Sequence, residues 1–414
     1  MSGHGLVIIG GSYAAQQIAA SARECGYAEP ITLISDEAFL PYQRPPLSKG
    51  FPSGKVEQDA LILRPDSFYA ENRIDLMLDT RVEQIDRQKK IVVTAGGQSI
   101  PYDKLAIATG ARARLFKGPG AELDGVLPVR SLADAIDLRD RAPKVSEIVV
   151  IGGGFIGLEV ASALRTLGKT VTVIEFAPRL LGRAVGPILS DFMADYHRAQ
   201  GVHIVLNESV TEIRGENGRV TSVLCSKGDS FPADLVVVGI GALPNTELAE
   251  AAGLACRDGI IVDEHARTSD PDIVAAGDCT RHPSVFAGKS LRLESVQNAL
   301  DQAKIAGATL AGLDKVYDTV PWFWSDQYTL NLQMVGLADG HDQSVMRGSV
   351  EEGKFSLFYY KAGNLVGVES VSRPSDHAIS RRILAGRIPV TPEQAADPSV
   401  DLRALLKAAK SAAG

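Results

Sequence analysis

Short apolar runs that break into small residues and then resume at helical spacing recur through the first two-thirds of the chain. Leu6–Ile9 (LVII) enters Gly10-Gly11-Ser12 and continues as an alanine-rich stretch to Cys25. Ile148–Ile151 (IVVI) enters Gly152-Gly153-Gly154 and continues as FIGLEVA. An unbroken apolar run bounded by glycine predicts a strand covered on both faces, and apolar positions three and four apart predict the helix that covers it. Each pair is followed by a second apolar strand ending in acid, ITLISDE in Asp36 and Glu37 and KTVTVIE in Glu175. Each unit later closes on an apolar strand entering a glycine turn, DKLAIATGA in the first and DLVVVGIGALPN in the second. Two copies of one α/β architecture in tandem account for this pattern.

Other stretches fill in the order of elements. In FLPYQRPPLSKG, residues 39–50, the paired prolines predict Arg44–Leu47 extended, with Ser48 and Lys49 at a helix start. Residues 56–115 predict a helix near Pro65–Asn72, a strand near Asp75–Leu78 and a meander-like β region. VLPVRSLADAIDLRDR crosses into the second copy through an amphipathic helix. DGIIVDEHARTSDPDIVAAGDCT returns to strands, and LESVQNALDQAKIAGATL makes a helix from about Ser295. From Pro321 the period changes to alternation, through WFWSDQY, LNLQMVGLA, QSVMRGSV and KFSLFYYKAGNLVGVESV, with a Gly363-Asn364 turn. This predicts a third, antiparallel domain, ending in a helix near Val400–Ser411.

Gly152, Gly154 and Gly157 form G-x-G-x-x-G between a predicted strand and a predicted helix, the context in which that spacing binds a dinucleotide. The first glycine permits the tight turn, the second lets the backbone approach a pyrophosphate, and the third lets helix and strand pack closely. The diphosphate then meets unpaired N–H groups at the positive end of a helix. Glu175 stands at about the ~20-residue distance expected of the acid that bonds a ribose diol. A carboxylate there repels a 2′-phosphate, so NADH is expected over NADPH. Arg179 and Arg183 follow closely, either as pyrophosphate contacts or as helix decoration. The first copy departs from the pattern, with Ser12 and Ala15 in place of glycines, yet both are small enough for close approach. Lys49 reads either as a solvated lysine on a rigid connection or as an ammonium held against a cofactor that becomes anionic on reduction.

A chain of 414 residues implies two or three domains. The net charge of −7 argues against general nucleic-acid binding. Cys25, Cys225, Cys256 and Cys279 are too scattered for a dithiol centre, a zinc knuckle or a disulfide framework, and the seven histidines have no metal-ligand spacing. No metal is therefore expected. No apolar run reaches the ~18–20 residues of a membrane span. With a strand almost at the N-terminus no leader is expected, and the cytoplasm is the expected location.

Taken jointly, IIGGSYAA, LPYQRPPLSK, LAIATGA, GGGFIGLEVA, TSDPDIVAAGDC, ESVQNA and PWFWSDQ resemble the FAD-dependent NADH:ferredoxin reductases, a family that includes putidaredoxin-reductase-like and palustrisredoxin-reductase-like proteins. Reductase components of ring-hydroxylating dioxygenases are close by. The resemblance covers nearly the whole chain. It implies an α/β, glutathione-reductase-type fold: two Rossmann-like nucleotide-binding domains plus a C-terminal α+β domain. The FAD domain would span 1–116 and 245–320, interrupted by the NAD domain at 117–244 and closed by an interface domain at 321–414.

Carried over residue by residue, the resemblance implies FAD contacts from Gly10, Ser12, Ala14 and Ala15 at the first glycine turn. Asp36 would meet the adenosine ribose, and the backbone of Val82 the adenine. Arg44 and Arg130 would lie by the cleft, though Arg130 reads equally as a surface charge. Gly277 and Asp278 would bind the ribityl chain or diphosphate, and Val296 would offer its N–H to the pyrimidine end of the flavin. Lys49 would lie beside the flavin ring, paired with Glu159. Phe155 would cover the flavin face until nicotinamide displaces it, a packed core aromatic being the other reading. NADH would be held by Gly152, Gly154, Phe155, Ile156, Gly157, Glu175, Arg183 and Gly241.

The resemblance gives Trp324, with Trp322, an electron-exit role near the flavin edge, whereas the bare sequence reads core packing. It implies hydride transfer from NADH to FAD and single-electron delivery to an acidic [2Fe–2S] ferredoxin that serves an oxygenase, a haem-thiolate monooxygenase before a dioxygenase. Lys304, Arg373, Arg381, Arg382, Lys407 and Lys410 are candidates for the docking face of a monomer or weak dimer. The competing readings are an NADH oxidase or disulfide reductase on the same fold, and a nucleotide-sensing flavoprotein like apoptosis-inducing factor.

Overall fold

Five short runs rich in Leu, Ile, Val and Ala pair side by side near the N-terminal helix, all parallel; four are buried almost throughout, as an apolar run without alternation requires, and the edge run Ile74–Met77 is partly open. In the computed structural model, which describes residues 4–413 except the side chains of Lys410, Ala412 and Ala413, the sheet order is Ile273–Ala275, Lys104–Ile107, Leu6–Ile9, Ile31–Ile34, Ile74–Met77. The docking candidate Lys410 thus lies outside the described side chains. This sheet belongs to the first of two compact units, formed by the chain up to Gln43, Gln58–Arg112 and Leu243–Thr319. Its helices Tyr13–Glu24 and Val296–Leu310 pack through small residues, with Gly307 so close to the first helix that an added Cβ would lie 2.7 Å from that of Ser21.

The second unit comprises Arg44–Glu57, Ala113–Ala242 and the chain from Val320. Its parallel sheet runs His203–Leu206, Thr170–Glu175, Glu147–Ile151, Leu235–Val238, Val126–Pro128. Strand for strand this repeats the first sheet. Each copy also carries a three-stranded antiparallel meander between its third and fourth strands, Val82–Pro101 in one and Val210–Pro232 in the other. The repeat breaks only at the fifth strand. In the first sheet it comes from chain downstream of the other four, in the second from chain upstream of them.

Five antiparallel strands from Trp322 to Val371 form the C-terminal sheet, with the helix Pro374–Ala385 following. Leu332, Phe355, Leu357 and Val371 of this sheet share one core cluster with Leu180, Leu189 and Met193. Buried Glu369 reinforces the join by accepting from the Gly186 N–H at 3.1 Å and from Tyr359 Oη at 2.7 Å.

Two local expectations change. Arg44–Leu47 is not extended: Pro45–Ser48 is a 3-10 turn, and Arg44 itself is helical (φ −80°, ψ −34°). The prolines occupy its first positions, where a missing N–H costs nothing. Lys49 follows this turn rather than starting a helix. The second change is in the hairpin, which turns at Ala362-Gly363, both at positive φ, with Asn364 already in the next strand.

The third motif glycine is enforced by contact. A Cβ on Gly157 would stand 2.1 Å from the Gly152 carbonyl oxygen. Gly157→Ala should therefore lower stability by about 1–3 kcal/mol, measured as a drop in urea midpoint. An unchanged midpoint would contradict the contact.

Candidate functional site

In the first unit, helix ends and a turn converge. The Tyr13–Glu24 helix begins after Ser12 with no acid in its first turn, leaving the N–H groups near Ser12 and Ala14 as an anion-seeking end. Gly277 sits against it: a Cβ there would lie 3.2 Å from that of Ala14 and 3.8 Å from that of Ala299. Gln302, on the second helix, fixes this turn by accepting from the Gly277 N–H at 2.8 Å. Asp278 follows directly, and Val296 opens the second helix with Ser295 as its cap. At the tip of the second strand Asp36 is exposed and takes no hydrogen bond or ion pair among the described residues. Its neighbour Glu37 is engaged by Tyr42 Oη at 2.5 Å. The Thr80 N–H donates to Ser35 O at 2.8 Å, bringing the Val82 strand to the same tip. Gly10, Ser12, Ala14, Ala15, Asp36, Val82, Gly277, Asp278 and Val296 all belong to this unit, whereas Arg44, Lys49 and Arg130 belong to the other.

The second unit gathers the other predicted set. The Phe155–Thr166 helix also starts without an acid, and a Cβ on Gly154 would meet nothing within 4 Å. That opening in front of unpaired N–H groups fits a pyrophosphate. Glu175 closes the turn, accepting from the Gly153 N–H at 2.6 Å and the Ala177 N–H at 2.8 Å. Its remaining lone pairs can accept from a ribose diol. Gly241 lies across the turn with Arg183, whose Nη2 would be 3.8 Å from a Cβ there. Arg183 and Ile156 are exposed. Arg179 is not available to a phosphate in the same way, since it donates to Val185 O at 2.8 Å and Gly182 O at 2.7 Å.

One turn into the same helix, Glu159 is 1% exposed. Lys49 Nζ lies 3.1 Å from its Oε1, Ser325 Oγ donates to that oxygen at 2.5 Å, and Ser48 Oγ donates to Oε2 at 2.5 Å. Burial raises the pKa of Glu159 despite the pull of Lys49 and the two hydroxyls. The 3-10 turn that places Ser48 and Lys49 is anchored by Arg44, which donates to Arg130 O at 2.9 Å. Arg139 stacks its guanidinium over Phe51, 4.5 Å from the ring centre.

From Phe155 an aromatic row runs into the C-terminal sheet: Phe155 to Phe323 at 4.8 Å, Phe323 to Trp324 at 6.4 Å, Trp324 to Trp322 at 5.5 Å. Arg381 covers Trp322 at 4.3 Å. Sequence reasoning missed Gly153, Ser325, Gln302 and Phe323. Phe176 was missed too, although it follows Glu175 and is 78% exposed. Gly153 lay inside the GGGFIGLEVA motif and Phe323 and Ser325 inside WFWSDQ, whereas Gln302 and Phe176 lay in no motif.

Residues 4–303 match the profile of the pyridine nucleotide-disulphide oxidoreductases, and residues 322–406 that of the reductase C-terminal domain. The chain is 46% identical over 398 residues to rhodocoxin reductase of Rhodococcus erythropolis, covering 96% of this chain and 93% of that protein. It resembles the crystal structure of the ferredoxin reductase for the CYP199A2 system from Rhodopseudomonas palustris, with TM-score 0.94 and 48% identity over 96% of this chain and 99% of that one. It also resembles a chain of the covalent putidaredoxin reductase–putidaredoxin complex, with TM-score 0.95 and 39% identity over 98% and 99%.

Tyr317 donates to Asn298 Oδ1 at 2.9 Å behind the Val296 end, and His282 packs edge-on against its ring at 4.9 Å. Neither ring nitrogen of His282 has a partner, and burial lowers its pKa to about 4. The folded state thus binds the proton more weakly than the unfolded chain does. The pH-dependent penalty of His282 is absent above its ordinary pKa and grows as pH falls from about 6.5 to about 4, reaching about 3 kcal/mol. His282→Phe should flatten the urea midpoint over that window, and a midpoint falling as steeply as in the wild type would refute the assignment.

Proposed function

Because the chain belongs to the pyridine nucleotide-disulphide oxidoreductases, we propose that it works as a flavoprotein reductase that carries electrons from NADH through FAD to a [2Fe–2S] ferredoxin. Bound FAD supplies the step no side chain here can, accepting a hydride from NADH and giving up the electrons singly. The observation that carries this reading is the face shared by Phe155 and Glu159, four residues apart on the helix whose start forms the pyrophosphate opening. On that face an aromatic ring and a held ammonium, Lys49, stand one helical turn from the dinucleotide cradle.

The residues divide the work by their chemistry. The N–H groups at Gly154, Phe155 and Ile156 take the NADH pyrophosphate, and Gly152 and Gly157 shape the turn. Glu175 takes the ribose diol, while Arg183 and Gly241 border the site. Exposed Phe176 offers a flat surface beside Glu175 for the adenine. For FAD, the N–H groups around Gly10, Ser12, Ala14 and Ala15 take the diphosphate, with Gly277 and Asp278 across from them. Asp36 takes the ribose, the Val82 backbone the adenine, and the Val296 N–H the pyrimidine edge. Arg44 and Arg130 brace the segment bearing Lys49. Lys49 stabilises the negative charge that reduction places on the ring system. Phe155 shields the ring face, and Trp324 lies on the route out.

With these roles the chain parses into FAD-binding segments 1–116 and 245–320, an NAD-binding segment 117–244 and an interface domain 321–414. Disulfide chemistry on the same fold is disfavoured. Burial pushes the thiols of Cys225, Cys256 and Cys279 up to about 11, and no cysteine occurs between Asp36 and Lys49. The free thiols suit a reducing compartment, so the cytoplasm is the proposed location. No helix among the described residues is long and apolar enough to cross a membrane. One similar structure serves, by its name, a CYP system, which favours a haem-thiolate monooxygenase as final acceptor over a ring-hydroxylating dioxygenase.

For docking an acidic ferredoxin, Arg381, Arg382 and Lys407 are exposed on the last helices of the second unit. Lys304 and Arg373 are already paired, with Asp301 and Asp376. The protein is taken to act as a monomer or weak dimer.

The deciding experiment is NADH-driven cytochrome c reduction with and without an added [2Fe–2S] ferredoxin. Strong ferredoxin dependence is expected, and turnover indifferent to ferredoxin overturns the proposal. Glu175→Ala should raise KM for NADH about tenfold, the ~1.4 kcal/mol of a lost charged hydrogen-bond acceptor, with kcat little changed. An unmoved KM would remove Glu175 from the site. Reversing Arg381, Arg382 and Lys407 together to Glu should slow ferredoxin reduction at low ionic strength while leaving ferricyanide reduction intact. Equal rates would remove the docking assignment.

A further inference from the structure

Behind Glu159 the second unit contains a line of buried polar groups with no part in the roles above. Ser325 Oγ, which donates to Glu159, accepts from Gln327 Nε2 at 3.1 Å, and Gln327 Oε1 lies 2.7 Å from His197 Nε2. Glu159 is 1% exposed, and Ser325, Gln327 and His197 are each 0% exposed. With a carboxylate at one end, the sense of every bond in the line is fixed. Ser325 must donate to Glu159, so its lone pair faces the Gln327 amide. The Gln327 carbonyl therefore faces His197, which must carry its proton on Nε2. His197 Nδ1 has no partner, and a proton there would be a buried, unsatisfied donor, so this is also the cheaper tautomer.

We propose that His197, Gln327 and Ser325 act together as positioning residues: one head-to-tail chain of donors that keeps Glu159 in its carboxylate form and so keeps Lys49 fixed. The proposal rests on the reading of Lys49 given above. Protonating Glu159 at Oε2 would displace the Ser48 donor, and protonating it at Oε1 would undo the whole line. Ser325 would turn toward Gln327, the amide would have to flip, and His197 would have to move its proton to the unpartnered nitrogen. On the Oε1 side three buried groups therefore resist one proton.

The charges around the line are few. Lys49 is the charged group paired with Glu159, whose other partners are the hydroxyls of Ser48 and Ser325. His197 meets the Tyr328 ring at 5.3 Å and is held neutral by burial. Burial of Glu159 itself works against ionisation, so the donors oppose a real tendency to take up a proton.

The test follows the carboxyl carbon of Glu159 by NMR in full-length, flavin-loaded protein carrying labelled glutamate, with Glu159→Gln assigning the signal. Ser325→Ala and Gln327→Met should raise proton affinity at Glu159 about tenfold or more, one unit of midpoint. His197→Phe should raise it less, being farther along the line. Ser325→Thr keeps the hydroxyl and should titrate as the wild type does. A Ser325→Ala midpoint unmoved from wild type overturns the proposal, as does a Ser325→Thr shift equal to that of Ser325→Ala. Thermal midpoints on the same samples exclude unfolded protein, and if Gln327→Met fails to fold, the two Ser325 variants decide alone. Flavin content and ferredoxin reduction on the wild type separate failure of this proposal from failure of the functional reading.

Discussion

A carboxylate with almost no exposed surface is the constraint on which the second unit is built. An unpaired charge in that position would cost several kcal/mol, so every lone pair must be answered. The answers come from two stretches of chain distant in sequence from Glu159 and from each other: Ser48 and Lys49 from the 3-10 turn, and Ser325 from the first strand of the C-terminal sheet. Non-directional packing alone would tolerate these stretches in several registers. Donors converging on one carboxylate admit only the register that satisfies them all.

The two parallel sheets show how one sequence plan yields different sites. Both copies end their first strand in a small-residue turn and their second in an acid, and both leave the helix start free of negative charge. They differ in what is packed beside them. The first has a partner helix, Val296–Leu310, which supplies a second electropositive end and the Gln302 that clamps Gly277. The second has the C-terminal sheet, which supplies aromatic rings and Ser325. A dinucleotide cradle specifies a phosphate and a ribose, and the neighbour specifies the rest.

Features set by local chemistry were legible in the sequence. The glycine turns, the acids Asp36 and Glu175, the helix start near Ser295 and the change of period after Pro321 depend on residues within one turn or strand of each other. Two local readings failed because the same residue permits alternatives. Paired prolines suit a 3-10 turn as well as an extended chain, and a glycine at positive φ can share its turn with Ala362 as well as Asn364. Relationships across the chain were not legible. His197 and Gln327 are 130 positions apart, and neither residue type announces a partner. Ser325 lay inside a recognised motif, but the tryptophans around it drew the interpretation.

The opposite origin of the fifth strand in the two sheets bears on how the polypeptide emerges from the ribosome. The strand Val126–Pro128 exists before the four it joins, so the sheet it borders is complete once Leu235–Val238 has been made. The other sheet begins first yet must wait for Ile273–Ala275, leaving the flank of Lys104–Ile107 bare while the intervening chain is synthesised. The half of the molecule translated first is therefore the half whose sheet is finished last, and its open flank is the point most exposed to aberrant strand addition on the nascent chain.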